Sequence, residues 1–337
     1  MAMLLQRSKL FLLALTVFGL SPLVYAQHTD AQDEMQKTLR RVQSAAQKLN
    51  YSGIFVYQQA NQIRTSRITH AADSQGEIEK LEILDGKPRE YIRRNDEVSC
   101  YLPESKTVQV EKSVTQEVFP ALLSSNSHSL PDVYVIKKAE VSRVAGAECQ
   151  TLTFEPKDTL RYGYRLCLDK TTGLLLRAQT VNPKNEVIEQ IAFTQISIGD
   201  IDKSRIKPSF PNVAQWRVEN LTVQANVNSG WSVKLLPPGF KKTREMKRLI
   251  PISIKANGAA SNLPKAHEVI QIIFSDGLSA ISVFIEPDSA SRTEGSLQQG
   301  AMTLMGRRQG EYWLTVVGEV PFAAIKQVMN SIEFKPK

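Results

Sequence analysis

Between Ser52 and Lys112 six strand-length runs follow one another: SGIFVYQQ, QIRTSRITH, EIEKLEIL, REYIRR, EVSCYL and TVQVEK. AN, DSQG, DGKP, ND and PESK stand between them, rich in residues that tolerate tight turns. Connections this short join antiparallel neighbours, because a parallel pair needs a crossover of about a dozen residues or more. The strand runs resume with YVIKKAEVSRVAG, ECQTLTFEP, YGYRLCLD, LLLRAQTV and EVIEQIAFTQISIG. The pause before them, residues 113–132, offers Val118, Phe119, Leu122 and Leu123 for a short covering helix.

Ahead of the strands, Met35, Leu39, Val42, Ala46 and Leu49 recur at helical spacing, with Asp30, Asp33 and Glu34 near the start and Asn50 at the end. A long helix followed by ten or eleven consecutive antiparallel strands predicts an α+β fold: a strongly curved sheet or incomplete barrel, with the helix across its concave side. DIDKSRIKPSFPN, residues 200–212, carries two prolines and no apolar period, and reads as a linker. Beyond it WRVEN, WSVKLLPPGF, HEVIQIIFS, LSAISVFIEP, MTLMGRRQ and YWLTVVGEV predict a smaller sheet. PFAAIKQVMNSI adds one helix with Phe322, Ile325, Val328, Met329 and Ile332 on one side. The basic run KKTREMKR, 241–248, reads as a solvated loop or helix face.

Arg7 and Lys9 precede the apolar run Leu10–Leu20, then Ser21, Pro22 and Val24-Tyr25-Ala26, the pattern of a secretory signal peptide cut after Ala26. Of 337 residues, 311 remain, more than one core usually serves. The expected division is a leader 1–26, a first domain 27–199, the linker 200–212 and a second domain 213–337. Losing Arg7 and Lys9 lowers the formal charge from +8 to +6, a mild bias toward acidic partners. Export and the lack of a dense basic cluster with interleaved aromatics set nucleic acid aside.

The cysteines are Cys100, Cys149 and Cys167. Folding AECQTLTFEP onto YGYRLCLDK about Asp158 brings Cys149 opposite Cys167, a register that permits a disulfide; three separate buried thiols are the alternative. No G-x-S-x-G, H-E-x-x-H, C-x-x-C or P-loop is present. His267-Glu268 lacks a second histidine, since Gln271 stands four residues on, and His28, His70 and His128 are scattered. Neither a metal, a cofactor nor an enzyme active site is expected. Asp276-Gly277 reads as turn chemistry, and Trp216, Trp231 and Trp313 as core.

YSGIFVYQQ, LDGKPREYIRRNDEVSCYLPE, LPPGF, FSDGLSAISVFIEP and VVGEVP, in this order and spacing, resemble the MucB/RseB family of periplasmic regulators of the extracytoplasmic stress sigma factor. The resemblance runs from about residue 30 to the end. It implies a first domain of the LolA/LolB type, a half-barrel with a helical lid that senses lipid, and a second domain that contacts an anti-sigma factor. It further implies a soluble periplasmic protein that shields the periplasmic segment of a single-pass anti-sigma factor of the MucA/RseA type from the stress protease. A lipid, lipopolysaccharide or lipoprotein-like amphiphile would relieve the shielding. A periplasmic lipid or lipoprotein carrier is the alternative, and the oligomeric state stays open, a homo-oligomer included. Within such a fold Ile54 and Val56 point one way and Phe55 and Tyr57 the other, so one pair meets the lid and the other lines or backs a lipid pocket. Arg64, Arg67, Arg93 and Arg94 are candidates for phosphates or an acidic partner at its mouth.

Overall fold

The computed structural model describes residues 23–112, 129–221, 223–251, 266–288 and 292–335. The expected leader lies outside them apart from Leu23–Ala26, and so do Val118, Phe119, Leu122, Leu123 and His128.

The leading helix, α1, spans Leu23–Lys48. Eleven strands then follow the predicted runs: β1 (Tyr51–Gln59), β2 (Gln62–Asp73), β3 (Gly76–Ile83), β4 (Arg89–Arg94), β5 (Glu97–Leu102), β6 (Thr107–Glu111), β7 (Tyr134–Val144), β8 (Ala147–Pro156), β9 (Gly163–Asp169), β10 (Leu175–Val181) and β11 (Val187–Ile198). The short helix α2 (Leu130–Val133) leads into β7. The strands do not form one continuous meander. β1 to β6 run out to one side, β7 to β11 return from the other, and β11 closes antiparallel on β1. At that seam Gly53 admits the Phe193 ring: a Cβ there would lie 2.8 Å from the ring and 2.5 Å from Gln195 O.

One strand departs from expectation. Arg217–Leu221, β12, read from sequence as part of the trailing sheet, pairs parallel with β6 and makes the first sheet twelve-stranded. A register joining residues 107–111 to 217–221 leaves no local mark in either segment. The proline-rich stretch before it is not a free linker either. Lys80, buried in β3, donates from Nζ to Lys207 O at 2.9 Å and to Ser209 Oγ at 2.6 Å. Glu90 accepts from Ser209 N at 3.0 Å, Ile206 is buried, and Trp216 stacks on Phe210 at 5.5 Å. The segment is strapped to the sheet.

The amphipathic period of α1 explains the first core. Leu39 and Val42 meet Tyr134, Leu152, Phe154, Tyr164 and Leu166, while Ala45 joins Tyr51, Phe55, Ile68, Leu176 and Phe193. Cys149 and Cys167 form a disulfide in this second cluster, with Cα atoms 5.3 Å apart. Cys149 stands opposite Asp169 and Cys167 opposite Thr151, so the bridge joins diagonal neighbours rather than a facing pair.

The second sheet takes the order β13 (Val223–Ala225), β15 (Lys241–Pro251), β16 (Ala266–Ser275), β17 (Ala280–Pro287), β20 (Tyr312–Gly318), β19 (Met302–Gln309) and β18 (Gly295–Gln299). The helix α3 (Phe322–Met329) packs Ala324, Ile325, Val328 and Met329 onto Ile281, Val283, Leu314 and Val316. β14 (Trp231–Val233) pairs with β21 (Ile332–Phe334), so Ile332 is strand, not helix, and Phe322 is exposed. KKTREMKR lies in β15, not in a loop or helix face: Met246 is buried, and the buried Glu245 carboxylate accepts from Lys242 Nζ and Ser229 N.

Candidate functional site at the junction of the two sheets

Antiparallel register puts the β16–β17 turn at Asp276–Ser279, the β18–β19 tip at Gly300–Ala301 and the end of β20 at one end of the second sheet. That end faces the β8–β9 loop, the starts of β7 and β11 and the end of β1. Asp276 serves two purposes there. Its Oδ1 accepts from Leu278 N at 3.0 Å and Ser279 N at 2.9 Å, closing the turn. Its Oδ2 accepts from Arg161 Nη1 at 2.6 Å and from the Tyr134 hydroxyl at 3.2 Å.

Arg161 belongs to the β8–β9 loop and is buried to 1 % exposure. Its Nε donates to both Asp158 oxygens at 3.1 Å, and Nη2 donates to Pro238 O. The guanidinium lies over the rings of Tyr134 and Phe240, at 5.4 and 5.6 Å. Burial opposes its charge, but hydrogen bonding to Asp158 and attraction to Asp276 outweigh burial and hold Arg161 above its ordinary range. Burial, then the Asp276 carboxylate, pushes the Tyr134 hydroxyl well up. A planar fork with five donors suits a position where two carboxylates and a carbonyl converge, as a lysine would not.

Apolar contacts flank the ion pair. Leu278 inserts among the first core's side chains, and a Cβ on Gly239 would lie 2.9 Å from Val133 Cγ1. Tyr162 accepts from Gln298 Nε2 at 3.0 Å. Gly300, at φ +57°, presses on Gln59 and Ile188, leaving no room for a side chain. Burial raises Glu189 above the usual carboxylate range despite hydrogen bonds from Tyr57, Gln59 and the Ala301 backbone. Between these contacts a cleft of about 470 Å³ opens, lined by Gln58, Asn61, Glu189, Gln190, Gln298 and Gly300 among others.

Apart from Tyr57, the residues singled out from sequence for a lipid pocket and its mouth lie elsewhere. Phe55 is packed edge-on against Phe193 at 5.9 Å, in the core cluster that Ala45 of α1 joins. Tyr57 reaches Glu189. Ile54, on the opposite face, lines a cleft of about 410 Å³ with Arg67, Asp202 and Arg205, and half-buried Val56 shares that face. The four arginines do not gather at one mouth. Arg67 pairs with Glu82 at 3.5 Å; Arg93 is buried against Glu77 and Glu79 at 3.5 and 3.6 Å; Arg64 and Arg94 are exposed. Trp231 and Trp313 are core, while Trp216 is half-buried.

Arg161 and Asp276, which hold the junction, were not singled out as an ion pair from sequence. Asp-Gly reads as a turn, and an arginine in a loop carries no burial signal. His267 Nε2 contacts Glu286 at 3.2 Å, and among the described residues no group of three or more His, Cys, Asp or Glu could hold a metal ion. Within the site Arg161 is ion-paired to both Asp158 and Asp276, an arrangement that holds the two surfaces together.

Two family models match the chain, the MucB/RseB N-terminal domain over residues 34–210 and the MucB/RseB C-terminal domain over 225–333. The sigma factor AlgU regulatory protein MucB of Pseudomonas aeruginosa is 29% identical, with 91% of this chain and 92% of that protein aligned. The sigma-E factor regulatory protein RseB of Haemophilus influenzae is 24% identical over 96% and 98%. Among solved structures, the Pseudomonas aeruginosa MucA/MucB complex superposes at a TM-score of 0.67 and 27% identity, covering 91% of this chain and 100% of that one. MucB in complex with MucA(peri) gives 0.66 at 27%, covering 90% and 99%.

Proposed function

The chain belongs to the MucB/RseB family, and on that premise we propose that it is a periplasmic regulator that binds the periplasmic segment of a single-pass anti-sigma factor of the MucA/RseA type. The observation that carries this reading is the likeness to the MucA/MucB complex across both sheets at once, since the relative that binds such a partner shares the whole two-sheet arrangement. Bound, the chain covers the protease-sensitive part of the segment. A lipid or lipopolysaccharide signal lowers that affinity by favouring another arrangement of the two sheets, which it does only by interacting differently with the two states.

Titrating the chain from Gln27 onward into the purified segment tests the binding step, and a lack of measurable association would reject the reading. Cleavage of the segment by the stress protease, followed with the chain at saturation, tests protection: a slowed rate is expected. Adding lipopolysaccharide should restore cleavage, and an unchanged rate would remove the lipid step alone. No helix among the described residues is long and apolar enough to cross a membrane.

A further inference from the structure

The two large sheets have four terminal strands, and three of them carry features that keep other chains from pairing there. β13 has three residues. β12 carries Arg217 and Glu219, ion-paired at 2.6 Å. β7 presents Lys137, Lys138 and Arg143, and its register breaks between Lys138 and Val141. β18 differs. Its sequence GSLQQ has no charge and no proline, its register with β19 is unbroken, and all five residues are exposed. Among the described residues no strand pairs with its outer side.

Side-chain chemistry adds a second observation. Leu297, 67 % exposed, stands opposite Leu304, 37 % exposed, which stands opposite half-buried Val317. An apolar row thus crosses the sheet and stops at its open rim, where one more strand would continue it. At Gly300 the strand runs into the junction cleft, whose amide side chains Gln58, Asn61 and Gln190 and carboxylate Glu189 offer acceptors. The edge supplies main-chain donors and acceptors; the cleft supplies polar side chains next to it.

Resting on the reading above, we propose that β18 adds an extended stretch of the anti-sigma partner's periplasmic segment as an eighth strand of the second sheet. The stretch carries an apolar residue beside Leu297 and hydrogen-bond donors where it enters the cleft against the first sheet. Main-chain pairing gives the affinity and the Leu297 row the register, as in other strand-addition complexes. A single extended segment needs only this strip of edge, whereas a second copy of the chain would have to match the surfaces around it as well. Held at both sheets, the segment is sensitive to their relative placement.

The test uses the chain from Gln27 onward and the purified partner segment, with amide hydrogen exchange and binding measured together. Residues 295–299 should gain protection on binding, and Leu297→Lys should weaken binding about tenfold or more while Val141→Lys on the β7 edge leaves it unchanged. Circular dichroism melts of both variants check that each is folded. Tight binding with 295–299 unprotected and Leu297→Lys neutral would overturn the inference and leave the regulator reading standing. Absence of binding by the unsubstituted chain would overturn both. Concentration-dependent protection of 295–299 without the segment, with dimers in sedimentation, would assign the edge to a second copy and overturn the inference.

Discussion

Arg161 Nη1 and Asp276 Oδ2 lie 2.6 Å apart with neither side chain accessible to solvent, and they join a loop of the first sheet to a turn of the second. Such a pair contributes little net stability compared with apolar side chains of the same shape, yet losing one partner leaves a buried charge alone. It therefore specifies one placement of the sheets rather than adding much to the strength of their contact.

Asp276→Ala should destabilise the protein by about 3–5 kcal/mol, because the buried Arg161 keeps Asp158 as its one counter-ion, its Nη1 loses its acceptor and so does the Tyr134 hydroxyl. Urea unfolding should show the two sheets separating into two transitions. Replacing both partners, Arg161→Met with Asp276→Leu, should recover much of the loss. A single wild-type-like transition in Asp276→Ala would show that the pair does not couple the sheets.

Removing the bridge, through Cys149→Ala with Cys167→Ala, should cost about 3 kcal/mol, the loop-closure entropy of a separation of 18 residues. The same loss should follow when the unsubstituted chain is unfolded in reductant. Equal urea midpoints with and without reductant would contradict it.

Acidification should destabilise the fold through His70. Burial lowers the pKa of this imidazole below 6.5, and its Nδ1 donates to Leu49 O at 2.8 Å while Nε2 has no partner. A base held neutral in the fold binds fewer protons than in the unfolded chain, so its contribution is complete above pH 6.5. It is lost as the pH falls below that value toward the lowered folded pKa. Glu189, raised by burial, acts with the opposite sign: relief comes as the pH falls through its folded pKa. Melting points measured from pH 7.5 to 5.5 should drop less in His70→Gln than in the unsubstituted chain. Parallel curves would refute the assignment to His70.

Lys80→Met should release the strap. The ammonium holds Lys207 O and Ser209 Oγ and pairs with Glu90 at 3.2 Å, so its loss leaves that buried carboxylate uncompensated, at about 3 kcal/mol. Limited proteolysis should then cut within residues 200–216, where the unsubstituted chain resists. Unaltered cleavage would mean that the stacked Phe210 and Trp216 suffice.

What local chemistry dictates was legible in the chain itself. Alternation and tight turns delimit β1 to β11, and the spacing of Leu39 and Val42 gives α1 its buried side, because strand and helix periods follow from backbone geometry a few residues at a time. Pairings between distant segments carry no such period. The closure of β11 on β1, the parallel seat of β12 beside β6 and the exposure of GSLQQ along a sheet rim depend on where other segments lie. So does the site. Asp276 is a turn residue by sequence and also a buried counter-ion, because folding brings Arg161, 115 residues earlier, to within a hydrogen bond of it and excludes water from both.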